Sequence, residues 1–386
     1  MNPELNTSSQ TAKRSARAKK APYSKLRKAR YGYYGIAFGL LFFILAQFAA
    51  SYMVKLDTVY KHRLNYDMFL ADSKVMGIAV EELARHIKDE GLTDYAILIG
   101  NSVAWGTNES SDHSLGRYLS DSATADGEGK LQAVFNLSAP SMMAGDAYTL
   151  LLMLDEHGIK TDNVMIGLTY SSFVGGNPGV RKVFWLGDDL KKEDPAVFQK
   201  VLPHLEATGY KNVTGWKETE HNAIAALSKW VPVIHYKTVI PESIKQMGKD
   251  SDLMGDPRAW NEKQFSENWI TSQQYLNFFN PEPFDMSEAN WSVYFMNRIA
   301  EHQQGKRLFV FVAGSNGELS KKEVTHPGYI ANTEKIDIYL SELGGEYVML
   351  QDRIDPDLFT DHVHLTKEGN QLLARIIWDA WTGKEA

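Results

Sequence analysis

Residues 31–54, YGYYGIAFGLLFFILAQFAASYMV, run for 24 positions without a charged side chain. As a helix this stretch is about 36 Å long at ~1.5 Å per residue, enough to cross a hydrocarbon core of ~30 Å with some tilt. Tyr31, Tyr33 and Tyr34 stand at one end and Tyr52 at the other, where amphipathic rings favour a membrane–water interface. Residues 1–30 hold nine Lys/Arg against one acid, Glu4. Positive charge before a span keeps that end in the cytoplasm, so everything beyond residue 55 is expected outside. A cleaved signal peptide is the rival reading, and Ala49 and Ser51 suit a cleavage site. Its apolar region would be shorter, about 7–15 residues, so the length favours a retained anchor.

The basic tail thus reads as a topology signal, and a nucleic-acid partner is not expected. Without it the chain has 32 basic and 47 acidic residues, a balance of −15 within a net charge of −7. The sequence has no cysteine, which excludes disulfides, thiolate metal sites and a cysteine nucleophile. Its 44% hydrophobic content is ample for a large core.

Beyond the apolar run, residues 55–92 have helical spacing of apolar residues up to Gly91, and are expected to form a helical stalk. Five buried-strand patterns follow: YAILIG, LQAVFNL, NVMIGLTY, RLFVFVAG and EYVMLQD. Helical stretches separate them (SLGRYLSDS, AGDAYTLLLMLDEHG, TEKIDIYLSELGG), ATADGEGK is a loop, and KEGNQLLARIIWDAW closes the chain. Near-continuous apolar strands alternating with helices predict an α/β fold with a parallel sheet covered on both faces. Residues 173–305 interrupt the alternation with a stretch rich in Trp, Tyr, Phe and Pro. They read as a helical or irregular insertion, either a wall or lid of a site or a packing excursion.

In such sheets, sites lie beyond the carboxyl ends of the strands. Ser102 stands there, at the end of the first strand in YAILIGNS. Asp361 and His364 lie three residues apart in FTDHVHLTKEG, just before the last helix. A serine hydroxyl attacks poorly without a base, an imidazole supplies one near neutral pH, and a carboxylate fixes its tautomer. The bland alternatives are an N-cap role for Ser102 and zinc ligation by the H-x-H and its neighbouring carboxylate. Asn101 either polarises the site or stabilises the turn, and Trp105 reads as packing rather than a stacking platform for substrate.

Strand-Gly-Asn-Ser at the start and F-T-D-H-V-H-L-T-x-x-G at the end resemble the SGNH (GDSL-like) hydrolase superfamily, over about residues 93–172 and 306–380. The resemblance implies a three-layer sandwich with a central parallel sheet, and Ser102, Asp361 and His364 as catalytic residues. It also implies an oxyanion hole built from the Ser102 N–H, a second N–H at Ser141, and a side chain at the position of Ser171 or Ser172. The family's second block has a glycine where VFNLSAPS has Ser141, and its third block has an asparagine that IGLTYSSF lacks. One N-terminal anchor, an outward SGNH-like domain and a degenerate third block further resemble the D-alanyl transfer proteins of lipoteichoic acid and the alginate- and cellulose-type O-acetyltransferases. That likeness implies a cell-surface polymer as acceptor and a membrane-bound O-acyltransferase as partner, with neither metal nor cofactor.

The expected organisation is a basic cytoplasmic tail at 1–30, a transmembrane helix at 31–54, the stalk at 55–92, and an extracytoplasmic domain at 93–386 carrying the 173–305 insertion. The expected activity is O-acyl transfer through Ser102. A membrane-anchored esterase and a non-catalytic polymer- or partner-binding scaffold are the alternatives.

Overall fold

A computed structural model describes residues 23–125, 131–174, 184–228, 230–248 and 251–384. The first 22 residues of the basic tail and the end of the ATADGEGK loop therefore lie outside the described residues. Helix α1 covers Tyr23–Met53, and its apolar part, Tyr31–Met53, is the one helix among those described that is long and apolar enough to span a membrane.

Five parallel strands form one sheet: β1 (Tyr95–Gly100), β2 (Ala133–Asn136), β3 (Asn163–Thr169), β4 (Arg307–Ala313) and β5 (Glu346–Met349), in the order β2-β1-β3-β4-β5. These are the five apolar runs of the sequence. The near-continuous hydrophobicity of β1, β3 and β4 follows from burial on both faces, whereas the edge strand β5 is only partly covered. Tyr95, Ile97 and Ile99 of β1 enter one core while Ala96 and Leu98 enter the other, and β4 divides in the same way. The first face packs against α2 (Val75–Glu90), α4 (Ala144–Glu156), α5 (Trp291–His302) and α6 (Pro327–Glu342). The second is covered by α3 (Leu115–Ala125) and α7 (Lys367–Thr382). The result is a three-layer α/β sandwich.

Residues 55–92 are helical in three pieces, Leu56–Val59, Tyr66–Ala71 and α2. Met68, Phe69, Val75, Met76 and Leu83 are essentially fully buried in the same core as β1 and β3. A helix whose apolar stripe must be covered finds that cover on the domain. The described part of the 173–305 insertion is helical or irregular and contains no strand.

A 2-1-3-4-5 order places the topological switch between β1 and β3, where doubly wound sheets open a crevice at their carboxyl edge. Gly100 and Gly167 are register partners at that edge. A Cβ on Gly100 would stand 2.6 Å from the Gly167 carbonyl oxygen and 2.7 Å from Ala104 Cβ. The two glycines let the helical turn Ser102–Trp105 sit directly on the sheet, which is why the strand ends in glycine just before Asn-Ser.

Candidate active site

Ser102 is the first residue of that turn, and the capping residue is Asn101, whose Oδ1 accepts from Val103 N at 3.1 Å. The capping alternative for Ser102 is thus taken by its neighbour. Asn101 Nδ2 donates to Thr169 Oγ1 at 3.2 Å, joining the ends of β1 and β3. Trp105 is 2% exposed, donates Nε1–H to the Leu64 carbonyl at 2.8 Å, and carries the Arg63 guanidinium 3.6 Å above its ring. Arg63 is buried too and donates to the carbonyls of Gly106 and Glu109 at 2.7 and 2.8 Å. Burial lowers its pKa to about 10, against the pull of Asp252. It binds the loop after the serine turn to residues 60–66.

At the other end of the chain, residues 358–366 fold into a small stapled loop. Phe359 and Leu365 form an antiparallel bridge, and Thr360 N donates to the His364 carbonyl at 2.7 Å. Asp361 Oδ1 accepts from the backbone N–H groups of Val363 and His364, both at 2.9 Å, which is an Asx turn. Thr366 then caps α7 by accepting from Gly369 N at 3.2 Å, so the L-T-x-x-G pattern is a helix start.

The two ends meet at the sheet edge. Ser102 Oγ lies 2.8 Å from His364 Nε2, and His364 Nδ1 lies 2.8 Å from Asp361 Oδ2. Burial works to raise the Asp361 carboxyl. The positive charge available to His364, its hydrogen bonds and His362 outweigh that and hold the group well below the usual carboxylate range. An ionised Asp361 accepts from Nδ1–H, which leaves the Nε2 lone pair facing the serine hydroxyl.

Ser102, Ser141, Ser171 and His364 line one cavity of about 380 Å³. The Ser102 N–H, first in its helical turn, has no acceptor within that turn. Ser141 has φ +63, the left-handed backbone that glycine adopts without penalty, so the serine keeps a glycine's geometry at a cost of about 1–2 kcal/mol. Ser171 Oγ lies 3.0 Å from Thr169 Oγ1, and Ser172 Oγ accepts from Thr169 N at 3.1 Å.

The insertion contributes a wall. Trp269, Tyr275 and Phe278 line the cavity and pack around His362 with ring centroids 5.4, 5.5 and 4.7 Å away. Trp260 N donates to the Phe359 carbonyl at 2.8 Å, and Lys263 Nζ donates to Thr360 O at 2.9 Å, so the insertion also braces the 358–366 loop. Asn108 joins the two halves. Its Nδ2 donates to Thr360 Oγ1 at 2.8 Å and to Asp361 Oδ2 at 3.3 Å. It does so from φ +70, with Gly255 so close that a Cβ there would fall on Asn108 Oδ1. Sequence reading missed Asn108, Arg63 and Lys263, whose contacts are up to 253 residues distant; the aromatic clustering at 265–279 was the one available signal.

Burial lowers His362 to about 4, against Asp361 and with the help of His364. An unfolded histidine protonates near 6.5, so between about pH 6.5 and 4 the unfolded chain binds one proton more than the folded one. Stability should therefore fall on acidification through that window, by up to about 3 kcal/mol across it. Urea midpoints measured from pH 7 to 4.5 should show this slope, and His362→Gln should flatten it. The same slope in the variant would contradict the assignment.

No family model matches the chain, and no curated protein does. Among solved structures, a candidate GDSL-like lipase from Parabacteroides merdae ATCC 43184 aligns over 76% of this chain and 96% of its own, at 13% identity and a TM-score of 0.33. A lipase from a goat rumen metagenome aligns over 75% and 97%, at 9% identity and a TM-score of 0.31. With likeness at that level, the chemistry of the site rests on its own geometry.

Proposed function

We propose that this chain is a membrane-anchored serine O-acyltransferase of SGNH type, with its N-terminus in the cytoplasm and its α/β domain outside. It moves an acyl group, acetyl or D-alanyl, onto a cell-surface polysaccharide or teichoic-acid-like polymer. The observation that carries the reading is the unbroken Ser102–His364–Asp361 hydrogen-bond series at the β1/β3 edge, opening into a cavity. In the first half-reaction His364 Nε2 takes the Ser102 proton while Oγ bonds to the carbonyl carbon of the donor ester. The N–H groups of Ser102 and Ser141, with the Ser171 hydroxyl, serve the oxyanion. Collapse breaks the donor ester bond, and His364 returns the proton to the departing oxygen. A polymer hydroxyl then gives its proton to His364, bonds to the acyl carbon and frees Ser102, which recovers its proton.

Supply from a membrane-bound O-acyltransferase partner is supported by a groove of about 820 Å³ that begins at Met53, the end of α1. It reaches Tyr66 and Met254, which also line the cavity of Ser102. Transfer is separated from hydrolysis by giving the full-length protein in membranes an acetyl-labelled ester, with and without a soluble glycan. Label on the glycan with slow release of free acetate supports transfer. Fast acetate release and an unlabelled glycan would make the protein an esterase.

Asn108→Gly tests the link between the two halves of the site, since it keeps the left-handed backbone and removes both hydrogen bonds. Losing a bond to an ionised group is worth about 1.5–3 kcal/mol. Acylation of Ser102 is expected to slow by about tenfold to a hundredfold on that basis. An unchanged rate, measured by stopped-flow with an activated ester, would remove Asn108 from the mechanism.

A further inference from the structure

We infer that two described stretches of the insertion, Ala223–Ser228 and Trp230–Val233, form a lipid-facing seat that dips into the outer leaflet beside α1. The inference rests on the anchored reading of α1. In helix Trp216–Ser228 no described residue is buried, and an isolated helix of 13 residues is marginal in water. Its second half, Ala223–Leu227, is uncharged and apolar, and Ser228 and Lys229 separate it from Trp230. Ile224, Leu227, Trp230 and Val233 are 45%, 49%, 85% and 37% exposed. In water that surface has no evident cover.

The position of α1 identifies the cover. Pro232–His235 packs against α1, and Val233 N donates to Gln47 Oε1 at 3.1 Å. Gln47 is six residues before the end of α1 at Met53, or about 9 Å along its axis. Interfacial helices bury their apolar faces about 5–10 Å into the headgroup and acyl boundary. Val233 and its neighbours therefore lie at interfacial depth whenever α1 spans the bilayer. The segment is held at that level from the other side. Tyr236 is buried and donates to Glu82 Oε1 at 2.9 Å, His235 Nε2 lies 2.9 Å from Glu81 Oε2, and Val239 is fully buried. Lys191 pairs with Glu218 at 2.6 Å, tying the polar half of the helix to the domain. An apolar half-helix followed by an indole at the water boundary is the chemistry of a lipid surface.

The absence of native cysteine allows single-site labelling of the full chain. Ile224→Cys, Trp230→Cys, Phe38→Cys and Glu368→Cys would each carry a nitroxide, with the protein reconstituted in phosphatidylcholine vesicles. Collision with oxygen reports lipid, and collision with a water-soluble nickel chelate reports water. Phe38 on α1 is expected to read as hydrocarbon and Glu368 as water, with Ile224 and Trp230 losing nickel access and gaining oxygen access relative to Glu368. If Phe38 reads as lipid while 224 and 230 keep full nickel access, the seat is overturned and the anchor stands. If Phe38 itself reads as water, the anchored reading fails and the seat fails with it. If 224 and 230 are shielded from both reagents, a protein surface covers them and the lipid assignment is wrong.

Discussion

Ser102→Ala is expected to abolish covalent acylation of the protein and to lower ester turnover by about four to six orders of magnitude, leaving the fold intact. The size of the loss follows from the role proposed for Oγ, because without it no acyl-enzyme forms and binding alone accelerates little. The intact fold follows from the local structure. Asn101 caps the serine turn, and the seat of the turn on Gly100 and Gly167 does not involve the hydroxyl. One hydrogen bond to His364 is lost, which should change stability by no more than about 1 kcal/mol. A variant that unfolds in urea at the wild-type midpoint yet turns over no ester would separate chemistry from structure.

Asp361→Asn should cost about 10⁴ in turnover with little change in fold. An asparagine can still accept from Val363 N and His364 N through its oxygen, so the Asx turn that shapes the loop survives. Its amide then faces His364 Nδ1 as a donor. That forces the tautomer with the proton on Nε2, which no longer accepts from Ser102. Because the fault is a misplaced proton, raising the pH should not restore the rate. A pH–rate profile that recovers to within tenfold of wild type would show that Asp361 acts by some other route.

The sheet was legible because parallel strands buried on both faces must be apolar throughout, and YAILIG, NVMIGLTY and RLFVFVAG are. Ser102, Asp361 and His364 stood out because each borders a strand or helix end that can be recognised from sequence. Their convergence across 262 residues depends on the strand order, which no local pattern encodes. Residues 55–92 have a helical period, yet the same period suits a free stalk and a helix covered by a core. Asn108 was invisible for a different reason, since its role needs a left-handed backbone and a partner on a distant loop. Aromatic content was equally ambiguous in the insertion. Trp269 walls the cavity, Trp230 is exposed beside α1, and composition does not tell them apart.

The most direct test of the central claim is mass spectrometry of the full-length protein in membranes after treatment with a fluorophosphonate, which reacts preferentially with an activated serine. The expected result is one adduct on Ser102, lost in Ser102→Ala and slowed in Asp361→Asn. An adduct on another serine, or an unmodified Ser102 at every pH from about 6 to 9, would contradict the proposed acyl-enzyme.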